Sequence, residues 1–137
     1  MSKVIDVELR NIMKKFQNNV VVRDFNLQVE QGEFVSFLGP SGCGKTTTLN
    51  MIAGFLDPDE GELLIKGRRM NGVPPYKREL GMVFQTYSLF PHMTVAENVA
   101  YGLKLRKVGK AEMQERVKRV LELVKLPHVA DRYPKQL

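Results

Sequence analysis

The sequence predicts an α/β fold, with a strand-rich portion reaching to about residue 90 and a helical portion after it. Three observations carry this reading. Apolar and polar residues alternate near the start, an almost unbroken apolar run of strand length fills 34–38, and the periodicity becomes helical beyond a glycine-rich stretch at 39–44.

Taken in order, Ile5, Val7 and Leu9 alternate with Asp6, Glu8 and Arg10, the period-two pattern of a half-buried strand. Phe25, Leu27 and Val29 repeat it against Asn26, Gln28 and Glu30. The polar turn Glu30-Gln31-Gly32 leads into Phe34-Val35-Ser36-Phe37-Leu38, which predicts a strand covered on both faces and therefore inside a sheet. Leu49, Ile52, Ala53 and Leu56 then fall at i, i+3, i+4 and i+7, so a helix is expected from near Gly44 until Asp57-Pro58-Asp59-Glu60-Gly61 breaks it. Leu63 to Ile65, between Gly61 and Gly67, predicts a further short strand. Met70 to Lys77, with Pro74 and Pro75, predicts a loop, and Leu80 to Phe84 a last strand ending at Gln85. Thr94 and Glu97 have capping-box spacing. Met113, Val117, Val120, Leu121 and Val124 form one apolar stripe of a final helix closed by Pro127, with Glu112–Arg116 and Glu115–Arg119 as i, i+4 pairs of the favourable orientation.

Composition narrows the function classes. The chain has 137 residues, enough for one ordinary domain with a real core, and no apolar run approaches the roughly 18 residues that span a bilayer. Asp6, Glu8 and Arg10 interrupt any secretory leader, so a cytoplasmic location is expected. A single cysteine, Cys43, excludes an internal disulfide, and with His92 and His128 it assembles no metal-ligand cluster by spacing. The net charge of +6 comes from basic residues spread along the whole chain, which points to solvated surface charge and not to a nucleic-acid partner.

The most informative segment is Gly39-Pro40-Ser41-Gly42-Cys43-Gly44-Lys45-Thr46, which fits G-x-x-x-x-G-K-[ST] at every fixed position and lies between an expected strand and an expected helix. Its chemistry answers the problem of gripping a triphosphate. Glycines let main-chain amides converge on the oxygens, the helix starting at Gly44 adds unpaired amides and the positive end of its dipole, Lys45 supplies a mobile cation, and the Thr46 hydroxyl is placed for Mg²⁺. The amide of Cys43, and not its sulfur, is expected to face phosphate; a redox role for the thiol is the lesser reading. The loop alone leaves the chemistry open, since kinases, GTPases and transport ATPases share it.

The run Gly39 to Gly54, with Gly81-Met82-Val83-Phe84-Gln85 and Pro91-His92-Met93-Thr94-Val95-Ala96-Glu97-Asn98-Val99, strongly resembles the nucleotide-binding subunits of ABC importers, and the likeness extends over the whole chain. What the resemblance implies is specific. The fold is a P-loop NTPase core with an N-terminal antiparallel β subdomain and the beginning of a helical subdomain, its sheet incomplete. Residues 1–137 are the N-terminal part of one nucleotide-binding domain, with the β subdomain and P-loop core over about 1–90 and the glutamine-loop exit and helical subdomain over about 91–137. ATP and Mg²⁺ are the cofactors. Gln85 is the glutamine that contacts Mg²⁺ or the attacking water, Lys45 and Gln85 are the catalytic candidates, and Thr46 and Gln85 the metal candidates. Phe16 occupies the position on which the family stacks adenine, Val21 touches the nucleotide from the other side, and Thr47 completes the binding set from Gly39 to Thr46. Transmembrane permease subunits and a second nucleotide-binding subunit are the partners, at the cytoplasmic face of the inner membrane. Tyr87, Leu89, Phe90 and Met93 are candidates for the permease contact, against local packing as the plainer reading.

Leu137 resembles the first residue of the family's Leu-Ser-Gly-Gly-Gln signature, and no apolar strand followed by Asp-Glu occurs in these residues. The expectations are a truncated chain with weak Mg-ATP binding at best, no appreciable turnover and poor solubility. Pro74 to Arg78 and Phe90 to Met93 resemble importers of polyamines, ferric iron, phosphonates or sugars, with polyamines preferred. Two other classes stay open: a soluble ABC ATPase of nucleic-acid metabolism, which salt-sensitive DNA binding would reveal, and a P-loop small-molecule kinase, which phosphate transfer to an acceptor would reveal.

Overall fold

Parity explains the first feature of the computed structural model, which describes residues 2–40, 42 and 44–137. Leu9 and Ile12 are both buried although they lie three apart, where strict alternation would put them on opposite faces. The strand β1 (Ile5–Phe16) bulges between them, with Asn11 at φ 50°, and β2 (Asn19–Glu30) answers with a bulge at Asp24, φ 42°. The Asn26 side chain fastens the two irregularities, its Oδ1 accepting from the Asn11 amide at 2.9 Å and its Nδ2 donating to the Asp24 carbonyl at 3.2 Å. Each bulge resets which face the following residues occupy. The hairpin is therefore longer than the simple alternation at 5–9 and 25–29 shows, running to a tip where Phe16 pairs with Asn19.

The chain divides into two compact units, Met1–Met82 and Val83–Leu137. In the first, β3 (Glu60–Ile65) and β4 (Arg68–Arg69) complete an antiparallel sheet of order β2-β1-β3-β4. One helix, α1 (Lys45–Ala53), packs on it through Met51, which is fully buried among Leu9, Ile12, Val22, Leu63 and Ile65. The buried face of α1 is Thr48, Met51 and Ala53, and Leu49, expected on the core stripe, is exposed. Its helix ends at Gly54, which adopts the left-handed conformation (φ 96°) and donates its amide to the carbonyls of Asn50 and Met51.

Two expected strands do not form. Phe34 to Leu38 lies outside the sheet, with Phe34 and Leu38 each 92% exposed. Leu80 to Phe84 is not a strand either. Among the described residues neither segment pairs with the sheet of order β2-β1-β3-β4. An open groove of about 660 Å³, lined by residues that include Val29, Phe34, Phe37, Leu49 and Ile52, lies beside the first of them.

In the second unit, α2 (Val95–Leu105) starts with the expected capping box. Thr94 Oγ1 accepts from the Glu97 amide at 3.2 Å, and the Glu97 carboxylate accepts from the Thr94 amide at 2.7 Å. Residues 130 and 132 return to this end, their carbonyls accepting from the amides of Ala96 and Val95. On α3 (Lys110–Leu123) only Val117 and Leu121 of the apolar stripe are buried, near Val129, while Val120 and Val124 are exposed. The Glu112–Arg116 ion pair forms; among the described residues no ion pair joins Glu115 to Arg119. No helix of the described residues is long and apolar enough to cross a membrane.

Candidate functional site

Gly44 stands at the entrance to α1 with φ 90°, a left-handed value that a side chain tolerates poorly. Space is tight as well. A Cβ there would meet the Val21 carbonyl oxygen and Val22 Cγ2, both at 3.1 Å. Val21 is half-buried and Val22 buried on β2, so the sheet supplies a wall behind the glycine loop.

The front of the loop is polar. No side chain caps α1, and its first intrahelical bond is donated by the Thr48 amide to the Gly44 carbonyl at 2.9 Å. The amides of Lys45, Thr46 and Thr47 precede that bond, which leaves the positive end of the helix turned to whatever occupies the loop. Thr48, which sequence reasoning missed, fixes this turn: its buried hydroxyl donates back to the Gly44 carbonyl at 2.8 Å. A buried threonine four residues past the last loop glycine was the available signal.

The Lys45 ammonium donates to the Gly39 carbonyl, so the lysine folds back along the loop that precedes it. A cavity of about 470 Å³, lined by Val21, Gly44, Lys45, Thr48 and the chain at 36–38, lies at this corner. Thr46 is exposed, with Lys45, on the rim of the adjoining groove. Pro40 and Gly42 are exposed, and Ser41 and Cys43 lie outside the described residues.

The structure therefore brings together Val21, Gly39, Gly44, Lys45 and Thr46, five of the sequence-predicted residues, around one uncapped helix end. Phe16 sits elsewhere in the same unit, at the hairpin tip, 44% exposed, with the Lys14 ammonium 5.5 Å from its ring centroid. An aromatic ring left that open at a turn is not core. Gln85 belongs to the second unit, exposed in a turn closed by the Tyr87 amide on the Phe84 carbonyl at 3.0 Å. Tyr87, Leu89 and Phe90, expected at a partner contact, follow it with exposed side chains, and Met93 is half-buried.

The donor set fits a nucleoside triphosphate with its divalent cation: main-chain amides at a helix N-terminus, one ammonium, one accessible hydroxyl and a left-handed glycine packed closely against Val21 and Val22.

Comparison with known proteins agrees. The residue profile that defines the ABC transporter family matches residues 22–137. The chain is 55% identical over 132 residues to the maltose/maltodextrin import ATP-binding protein MalK of Yersinia pestis bv. Antiqua, covering 96% of this chain and 36% of that protein. It is 53% identical over 133 residues to the spermidine/putrescine import ATP-binding protein PotA of Trichormus variabilis, covering 97% of this chain and 35% of that one. The chain thus spans about a third of the length of the curated relatives it matches. Among solved structures it is similar to a post-hydrolysis dimer of the ATP-binding cassette MJ0796 bound to ADP and Pi, with a TM-score of 0.85 and 33% identity over 96% of this chain and 62% of that one.

Proposed function

Because the chain belongs to the ABC transporter family, we propose that it supplies the ATP-gripping part of an import ATPase that works as a peripheral subunit on the cytoplasmic face of a membrane. The observation that carries this is the uncapped N-terminus of α1 beside Lys45, entered through the left-handed Gly44 packed against Val21 and Val22. The amides of Lys45 to Thr47 hold phosphate oxygens, the Lys45 ammonium leaves the Gly39 carbonyl for the β- and γ-phosphates, and the Phe16 ring stacks on the base. Thr46 would supply a hydroxyl to Mg²⁺, which when bound would neutralise phosphate charge; Gln85 is a second candidate ligand by the family resemblance alone. The Gln85 carboxamide donates and accepts without adding charge, which suits it to orient a water.

By the same proposal, a second nucleotide-binding subunit and transmembrane permease subunits complete the assembly. The stretch from Tyr87 to Met93 provides the permease contact, its exposed Tyr87, Leu89 and Phe90 being the support. Relatives named for spermidine/putrescine and for maltose/maltodextrin match at 53% and 55% identity, so a maltodextrin stands as a candidate beside the polyamine preference of the sequence, and an uptake assay with each decides.

The test is titration of the chain with Mg-ATP by calorimetry. Saturable binding is expected, and Lys45→Ala should weaken it roughly 10- to 100-fold, the equivalent of about 1.5 to 3 kcal/mol for one charge-assisted hydrogen bond. Binding of equal strength in the variant would remove the proposal's foundation.

A further inference from the structure

Residues 90–94 form no helix or strand, yet one side chain holds their main chain. Asn98, in the first turns of α2, accepts from the Phe90 amide at Oδ1 (2.8 Å), and its Nδ2 donates to the carbonyls of Phe90 (3.2 Å), Met93 (3.2 Å) and Thr94 (2.9 Å). The carboxamide takes both the N–H and the C=O of Phe90, as a neighbouring strand would. One turn further along α2, the Tyr101 ring packs at 4.8 Å from the Phe90 ring, and His92 lies edge-on at 5.9 Å. Both main chain and side chain of Phe90 are thereby fixed to the helix.

Upstream the situation reverses. Tyr87 (φ 64°) and Ser88 (φ 48°) are consecutive non-glycine residues in the left-handed region, which costs each of them conformational strain. The chain between Gln85 and Phe90 is thus strained on one side and anchored on the other.

We infer that Asn98 is a positioning residue: it makes Phe90–Thr94 a rigid outgrowth of α2, so that load on the exposed Phe90–Tyr101 surface passes to Tyr87–Ser88 and on to Gln85 instead of being absorbed in the loop. This rests on the proposed permease contact at 87–93. Alanine at 98 removes all four hydrogen bonds. Aspartate keeps the acceptor for the Phe90 amide and loses the donors to the three carbonyls.

The experiment uses the complete protein assembled with its membrane subunits in vesicles, and reads amide hydrogen exchange together with ATP hydrolysis. In Asn98→Ala the Phe90 amide should exchange at least about tenfold faster, while Val117 and Leu121 are unchanged. Asn98→Asp should fall between. The stimulation of hydrolysis by transported solute should drop severalfold in Asn98→Ala, with the KM for ATP unmoved. The inference is overturned by unchanged exchange at Phe90, by a uniform rise across α2 and α3, or by a raised KM with stimulation intact. A parent assembly that hydrolyses no ATP would instead sink the proposed function, and the exchange measurement would still decide whether Asn98 anchors Phe90.

Discussion

Gly54 and Arg78 meet at the C-terminus of α1 so closely that a Cβ on Gly54 would stand 2.6 Å from Arg78 Nε and 2.9 Å from Cζ. Arg78 is only 4% exposed, and its guanidinium donates to the carbonyls of Met51 (2.9 Å), Ile52 (3.1 Å), Met70 (2.8 Å) and Val73 (2.9 Å). Burial lowers its pKa and the Asp57 carboxylate raises it by a smaller amount. The helix whose first turn is uncapped has carbonyls of its last turn bonded to a buried cation, an arrangement its dipole favours.

Replacing that cation by an apolar side chain of similar length should therefore be severe. Arg78→Met takes a donor from four carbonyls, of which those of Met51 and Met70 keep an amide partner, and a loss of about 3 kcal/mol is expected in a urea denaturation measured with m unchanged.

Gly54→Ala should cost about 2 kcal/mol, part from the left-handed backbone and part from displacing the guanidinium. The two parts separate in a double-mutant cycle. In an Arg78→Ala background the same alanine should cost less, since only the backbone part remains, and strict additivity would show that the contact is not the cause.

The proposed base contact at the hairpin tip is open to test. Phe16→Ala should weaken ATP binding by about 1 to 3 kcal/mol while leaving affinity for inorganic triphosphate unchanged, since stacking under the proposal involves only the base. Equal losses for both ligands in a competition assay would contradict this.

The Thr94 hydroxyl should be worth about 1 kcal/mol to α2. Thr94→Ala is expected to lower stability by that amount and to raise amide exchange at Glu97, with Thr94→Ser restoring most of both.

On the open face of the sheet, hydrogen bonds from Arg10 first and Gln28 second hold the Glu8 carboxyl below its ordinary value of 4.5. A depressed carboxylate adds stability that is present above the ordinary value and is lost as pH falls through the folded one. An NMR titration should place Glu8's midpoint below 4.5, and Arg10→Gln should move it upward.

Much of this was legible in residues 1–30 and 94–124 because local pattern and local cause coincide there. Ile5, Val7 and Leu9 alternate and form β1, and Thr94 with Glu97 makes the capping box its spacing announces. The start of α1 after Gly44 was legible because a glycine there, followed by helical periodicity, marks a turn into a helix. Phe34 to Leu38 misled because an apolar run states only that burial is wanted, while burial requires partners elsewhere in a sheet. Leu49 lines the groove beside that run. Arg78 and Asn98 left no periodic trace. Each acts on carbonyls, which every residue has, so nothing in the target segments marks them.

The strand that walls the glycine loop also carries the hairpin tip. Three steps of extended chain separate Val22 from Asn19, the partner of Phe16, a span of roughly 10 Å. β2 thus works as a ruler, with the glycine wall as its zero and the aromatic ring at the other end of its scale. One added residue would invert the facing of everything beyond it, and two would keep the facing but lengthen the scale by roughly 7 Å. The separation of wall and ring is written in the count of residues along one strand.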